Sequence, residues 1–320
     1  MKSTFQLPKM AIIIAMILTQ LIRTYYTEVT RLGRFDEALY SDKFVITAEL
    51  NPPKGTDLNR LYEKADLLKD MVAAFNVTDS AGSIMSMAPI AVSHLLQDQG
   101  IDTILQITGR DRNKIALQSE LLAASALGVT NILCMSGDPP GAGDHPDAKA
   151  VGDLDALGLL RAARCLNMGK DLAGAEIKGS PTFFPGAVAN PGALDMDTEL
   201  KRMEGKVKAG AAFFQTQAVY ETSKFEQFMS VARQFGVPVL AGLIILKSAK
   251  MAHNLNANLP GVTVPDEFIT LLDNSEDRSA TSVEIIAKII RDIQGMCNGV
   301  HIMAIGWESK IPQILAAAGV

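Results

Sequence analysis

The chain has 320 residues, 48% of them hydrophobic and 20% charged, with 25 Gly and 14 Pro, which excludes a disordered or fibrous protein. A net charge of −5 and a pI near 5.5 leave no basic stripe for a nucleic acid. Cys134, Cys165 and Cys297 form no CxxC and no Cys/His pair at metal-ligand spacing, so a disulfide framework and a structural zinc are not expected, and a reducing, cytoplasmic setting fits.

In chain order, the first feature is an apolar run from Met10 to Ile22 behind Lys2 and Lys9. It falls short of the roughly 20 residues that span a bilayer. Arg23-Thr24-Tyr25-Tyr26 follows where a signal peptide needs a small-x-small cleavage site. Residues 1–40 therefore read as an N-terminal helical extension, and membrane contact is not expected.

From Phe44 onward, short β-branched runs alternate with amphipathic stretches of helical period, the pattern of βα units. Strands are expected over 44–50, 74–78, 103–108, 131–135, 179–184, 212–217, 237–245 and 300–305. Helices are expected over 57–69, 89–98, 113–127, 154–167, 197–209, 223–235, 249–255, 282–296 and 310–318. Eight parallel strands, each followed by a helix and with no linker between them, make residues 41–320 a (β/α)8 TIM barrel, an α/β fold of about 250 residues or more. The competing doubly wound sheet lacks its fingerprint, since no strand runs into GxGxxG and no P-loop occurs.

In such a barrel the functional residues stand at the C-terminal ends of the strands. The first strand ends in Glu49-Leu50-Asn51-Pro52-Pro53-Lys54. A carboxyl there is desolvated toward the range of a general acid, or else it is a rim glutamate paired with a lysine. The second ends in Thr78-Asp79 and the third in Gln106-Ile107-Thr108-Gly109, with Asp111 placed to cap the next helix. After the fourth comes a long Pro- and Gly-rich loop, Ser136 to Pro146, in which Asp138 reads as a second site carboxylate or as a turn residue. The fifth ends in Phe184, followed by Asn190. In the sixth, alternation puts Gln215 and Gln217 on one face, where an amide both donates to and accepts from a heterocycle edge. His94 and His253 read as surface or packing residues, while His145 lies in the fourth loop. His301 starts the last strand and is expected to face the end of the barrel remote from the site.

The order Thr-Ala-Glu-x-x-Pro-Pro-Lys, Val-Thr-Asp, Arg-Asp-Arg-Asn, Gly-Asp-Pro-Pro, then Lys-Val-x-Ala-Gly-Ala with Gln-Thr-Gln resembles the methylenetetrahydrofolate reductase family from Phe44 to Trp307. The resemblance implies a flavin-containing barrel that reduces 5,10-methylenetetrahydrofolate to 5-methyltetrahydrofolate in one-carbon metabolism, supplying methyl groups for methionine synthesis. FAD comes before FMN as the flavin, with NAD(P)H as electron donor. Glu49 matches the general acid that promotes opening of the folate ring to a 5-iminium cation, and Asp138 the carboxylate whose charge stabilises that cation. Two carboxyls in different environments divide such labour well. Gln217, with Gln215 and Leu255, is implied in folate binding. Thr78, Gln106, Thr108, Ser136, Gly137 and Asp138 are implied in flavin binding, as are Phe184, Asn190, Arg202 and Lys206. No metal site is implied.

The sequence departs from the family at several positions. Ser136, Gln106, Phe184 and Asp79 stand where many relatives carry Arg, His, Tyr and Tyr, and Leu255 stands where they place an aromatic. Any iron-sulfur redox partner would be another chain, because this one has no cysteine cluster. A homo-oligomer is expected. The alternatives are a folate-binding, partner-dependent or non-catalytic subunit of a methyl-transfer complex, and an unrelated pterin-dependent barrel transferase or a lyase using Lys206.

Overall fold

Parallel strands covered by helices are buried on both faces, so they read as continuous aliphatic runs. In a computed structural model, which describes residues 34–320, the strands are buried along nearly their whole length. They are β1 (Val45–Leu50), β2 (Ala74–Val77), β3 (Thr103–Thr108), β4 (Asn131–Met135), β5 (Phe184–Ala189), β6 (Phe213–Ala218), β7 (Val239–Ile244) and β8 (Gly299–Met303). Each pairs in parallel with the next, and β8 closes on β1 with Thr47 opposite His301. This is the expected (β/α)8 TIM barrel.

The helices are α1 (Arg34–Leu39), α2 (Asn59–Leu68), α3 (Pro89–Gln97), α4 (Lys114–Ala126), α5 (Ala156–Asn167) and α6 (Met196–Ala209). They continue with α7 (Thr222–Ala232), α8 (Ala249–Asn258), α9 (Asp266–Asp273), α10 (Arg278–Ile293) and α11 (Ile311–Ala318). Local chemistry sets their ends. Asn113 caps α4 by accepting from the N–H groups of Ile115 and Ala116, so the cap expected at Asp111 belongs two residues later, and Asp111 instead pairs with Arg110. Asp195 caps α6, which stops at Gly210 in a left-handed conformation, φ 116°. The sequence pattern misses α9, a short helix entered through Pro265 with Asp266 and Glu267 in its first turn.

Two apolar regions hold the barrel. The outer one lies between strands and helices, where Leu68, Val92, Leu117, Leu160, Phe225 and Ile286 are fully buried. The inner one fills the N-terminal end of the barrel with Val45, Ile104, Leu133, Phe184, Phe213 and Leu240. Helix α1 closes that end. Phe35 meets the Phe213 ring edge-on at 5.1 Å and the Phe184 ring at 6.3 Å, while Phe184 and Phe213 stack at 5.4 Å. Residues 34–39, on the extension side of the boundary expected at residue 40, are therefore packed into the barrel's base. The apolar run Met10 to Ile22 lies outside the described residues. Among the described residues no helix is long and apolar enough to cross a membrane.

One strand differs from expectation in a way that moves a candidate site residue. The fifth strand is expected to end at Phe184 but begins there. Pro185-Gly186 reads as a terminator, yet both residues lie inside β5. Pro185 still accepts from Ala212 N–H through its carbonyl. Gly186 is required by a close approach, since a Cβ there would fall 2.2 Å from the Phe213 ring. Phe184 thus sits at the opposite end of the barrel from the strand C-termini, and its expected role against the flavin is withdrawn.

Candidate active site

The side chains on the inner face of the barrel form layers, and depth along each strand decides what a residue can do. On β6, Phe213 belongs to the basal apolar layer. Gln215 is 2% exposed and hydrogen-bonds Asn76 and Thr47 in the middle of the barrel. Gln217 is half-buried at the upper end. Alternation places the two glutamines on one face, as expected, but only Gln217 reaches the mouth. Both amide hydrogens of Gln215 are spent on protein partners, so its expected contact with folate is corrected to a structural role below the site.

Glu49 stands one residue before the end of β1. Burial, with a smaller contribution from the Glu308 charge, pushes its carboxyl up from an ordinary 4.5 to about 7. It has no lysine partner among the described residues. Lys64 instead pairs with Glu308 at 2.8 Å, and Lys54 pairs with Asp144. His301 Nε2 lies 3.9 Å from Glu49 Oε2. This histidine was expected at the remote end. It is instead the middle residue of β8, 4% exposed and facing inward. The available signal was alternation within β8, which puts His301 on the face opposite Val300 and Ile302, both buried in the outer core.

The β2 and β4 loops wall one side of the mouth. Asp138 is exposed, and its Oδ2 accepts from Gly82 N–H at 3.1 Å. Ser83 Oγ donates to the carbonyls of Asp138 at 2.9 Å and Pro139 at 3.0 Å. Gly137 makes the turn out of β4 with φ 88°, and a Cβ on it would press on Thr108 and Arg110 at 3.0 and 3.1 Å. Asp144 accepts from Met85 N–H, and its hydrogen bond with Lys54 leads the causes that hold its carboxyl well below the usual range. Three loops are thus laced together around Asp138.

The remaining candidates divide by what already occupies them. Thr108 gives both its N–H, at 2.8 Å, and its hydroxyl, at 2.9 Å, to Asp79, which is also paired with Arg112. Asp79 therefore serves a buried ion cluster completed by Glu120. Thr78 donates to Asn51 at 2.8 Å, and Ser136 Oγ accepts from Ala156 N–H. Asn190 accepts from Gly192 and donates to Pro260, which ties the β5 loop to the segment after α8. Arg202 is exposed and lies 3.8 Å from Glu199. Leu255 is half-buried on α8, packed against the outer core. His145 bonds Asp144 at 2.9 Å.

Two features bear on a bound flavin. Gln106, buried on the inner face of β3, has no hydrogen-bond partner among the described residues, so its amide is free to donate and accept. Lys206, on α6, donates to the Val188 carbonyl at 2.6 Å, and burial pulls its ammonium down. A free amide at the mouth and a half-buried cation beside β5 fit a polar heterocycle edge and an anionic tail. Among the described residues no cluster of His, Cys, Asp or Glu could hold a metal ion.

Fold and site together define a TIM-barrel protein whose mouth is built around one desolvated carboxyl and one exposed, loop-anchored carboxylate. The family model for methylenetetrahydrofolate reductase matches residues 34–319, and the chain belongs to that family. It is 25% identical over 303 residues to the probable methylenetetrahydrofolate reductase (NADH) of Oryza sativa subsp. japonica, an overlap of 89% of this chain and 50% of the relative. With methylenetetrahydrofolate reductase 2 of Schizosaccharomyces pombe the identity is 26% over 299 residues, 85% of this chain and 45% of the relative. With the probable methylenetetrahydrofolate reductase (NADPH) of Caenorhabditis elegans it is 24% over 274 residues, 82% and 39% respectively. The chain spans half or less of the length of these relatives.

Proposed function

We propose that the protein reduces 5,10-methylenetetrahydrofolate to 5-methyltetrahydrofolate, with a bound flavin and NAD(P)H as electron donor. The observation that carries this reading is the Glu49 carboxyl, which burial holds at about 7 at the mouth of the barrel. A group poised there keeps a proton at neutral pH and can give it up during reaction. Membership of the family supplies the substrate, and the NADH and NADPH in the relatives' names supply the donor class.

When bound, the flavin supplies the hydride. Gln106 and Lys206 are the groups of this chain that would hold it, FAD before FMN. Glu49 holds a proton for the nitrogen that leaves the reacting carbon as the folate ring opens. Asp138, fixed by Gly82 N–H, sets its charge against the cation that opening creates, and the Gln217 amide reads the pterin edge. The reading extends to methyl supply for methionine synthesis in the cytoplasm, in keeping with three free cysteines, and to a homo-oligomer.

The test is the visible spectrum of the purified protein with extraction of its cofactor, followed by anaerobic addition of methylenetetrahydrofolate to the reduced form. A yellow protein that bleaches with NAD(P)H and recolours with the folate supports the proposal. A colourless protein that takes up neither FAD nor FMN counts against it.

A further inference from the structure

Left-handed backbone at a residue other than glycine marks a place where the surroundings hold the chain under strain. Among the described residues it occurs at Ser80 (φ 49°), Ser83 (φ 58°) and Ile305 (φ 48°). Two of the three flank Gly82, whose N–H fixes the Asp138 carboxylate. The group that touches both is Arg110, two residues beyond β3 and 6% exposed. Its Nε and Nη2 fork onto the two oxygens of Asp111 at 2.7 and 2.6 Å, which sets the plane of the guanidinium. Nη1 is left to donate to Ser83 Oγ at 2.9 Å, with the carbonyls of Ser80 and Asp138 each at 3.4 Å. A guanidinium only donates, so the Ser83 hydroxyl accepts from it and sends its single proton to the β4 loop, where the carbonyls of Asp138 and Pro139 lie at 2.9 and 3.0 Å. The two loops also meet backbone to backbone, since a Cβ on Gly143 would collide with the Ser83 carbonyl.

We propose that Arg110 is a positioning residue for Asp138, clamping Ser80 and Ser83 on either side of Gly82 and so holding the Gly82 N–H against the carboxylate. This rests on the reading of Asp138 as the carboxylate that stabilises the folate cation. Asp138 is itself exposed, so its direction is set by the loops that hold it and not by burial. The role needs the planar fork of an arginine, which grips Asp111 with one edge while Nη1 reaches the β2 loop; a lysine has a single ammonium and cannot do both. Arg112 does not share the task, because its guanidinium is turned to Asp79, Glu120 and the Thr108 carbonyl.

The experiment measures flavin reoxidation by methylenetetrahydrofolate in wild type, Arg110→Gln, Arg110→Lys, Asp138→Asn and the Arg110→Gln/Asp138→Asn double variant. In the same proteins it follows the Gly82 amide proton by NMR, a resonance that a bond to a carboxylate draws downfield. Arg110→Gln slows reoxidation by about 10- to 100-fold and moves the Gly82 resonance upfield, toward its position in Asp138→Asn. In the double variant the Arg110 substitution costs less than about twofold more, because the group it positions is already gone. Arg110→Lys keeps the charge without the fork and recovers little of the rate. Ser83→Ala leaves the guanidinium in place and moves both readouts in the same direction by less, which keeps the test open should Arg110→Gln fold poorly. Equal slowing by Arg110→Gln with and without Asp138, an unmoved Gly82 resonance, or full recovery in Arg110→Lys overturns the proposal. If Asp138→Asn reoxidises at the wild-type rate, the role given to Asp138 fails, while the Gly82 resonance still decides whether Arg110 holds the loop.

Discussion

Replacing Glu49 by Gln removes one ionisable group while keeping the shape of the side chain, and the structure fixes what that does to stability across pH. The carboxyl is pushed from 4.5 up to about 7 in the fold, so between those values the native protein holds a proton that the unfolded chain has released. Stability contributed by Glu49 is then complete below pH 4.5 and is lost as pH rises through 7. The loss amounts to about 3 kcal/mol, from the size of that displacement. His301 works in the opposite sense. Burial lowers its imidazole from 6.5 to about 3, so the unfolded ring takes a proton that the native ring refuses, and stability rises as pH increases from 3 to 6.5. In the wild type the two slopes oppose each other between 4.5 and 6.5. In Glu49→Gln the histidine slope is no longer opposed by that of Glu49. Urea denaturation of both proteins between about pH 4 and pH 8.5 checks this: relative to wild type, the variant gains about 3 kcal/mol on going from the acid end to the alkaline end. Asp36, also pushed to about 7 by burial, titrates in both proteins and cancels in the difference. Parallel curves for the two proteins would refute the claim that Glu49 is desolvated.

Phe184→Ala removes a ring buried between Phe35, Phe213 and the strands, and is expected to cost about 3–5 kcal/mol in urea titrations while leaving flavin affinity unchanged. Gly186→Ala places a Cβ against the Phe213 ring and is expected to destabilise by about 1–3 kcal/mol, read from the same titrations. Gly137→Ala forces a side chain into the left-handed region and onto Thr108. Stopped-flow traces should show slower reoxidation by folate, from displacement of Asp138, with a stability loss of only about 1–2 kcal/mol.

The barrel is legible in the sequence because most of its strands are short apolar runs and several of the helices between them carry their own caps, Asn113 and Asp195 among them. The motifs at the ends of β1 and β4 likewise lead to Glu49 and Asp138 without any coordinates. What escapes is depth and long-range pairing. Two-residue alternation puts Gln215 and Gln217 on one face but does not say that one is locked to Asn76 and the other open to the mouth. Phe184 moves from the mouth to the base because Pro185-Gly186 ends a strand in most contexts, and only the closeness of the Phe213 ring explains a glycine inside this one. His301 approaches Glu49 through strand closure between β1 and β8, a contact spanning some 250 residues of sequence that no local pattern encodes.

The central claim is that Glu49 supplies the proton for folate reduction and does nothing for the flavin's own reduction. The direct measurement is stopped-flow absorbance of the two half-reactions, flavin bleaching by NAD(P)H and recolouring by methylenetetrahydrofolate, in wild type and Glu49→Gln. The account predicts that recolouring slows by about 100-fold or more, the scale of a lost general acid, while bleaching keeps its wild-type rate. Equal slowing of both steps, or recolouring at the wild-type rate, would contradict it.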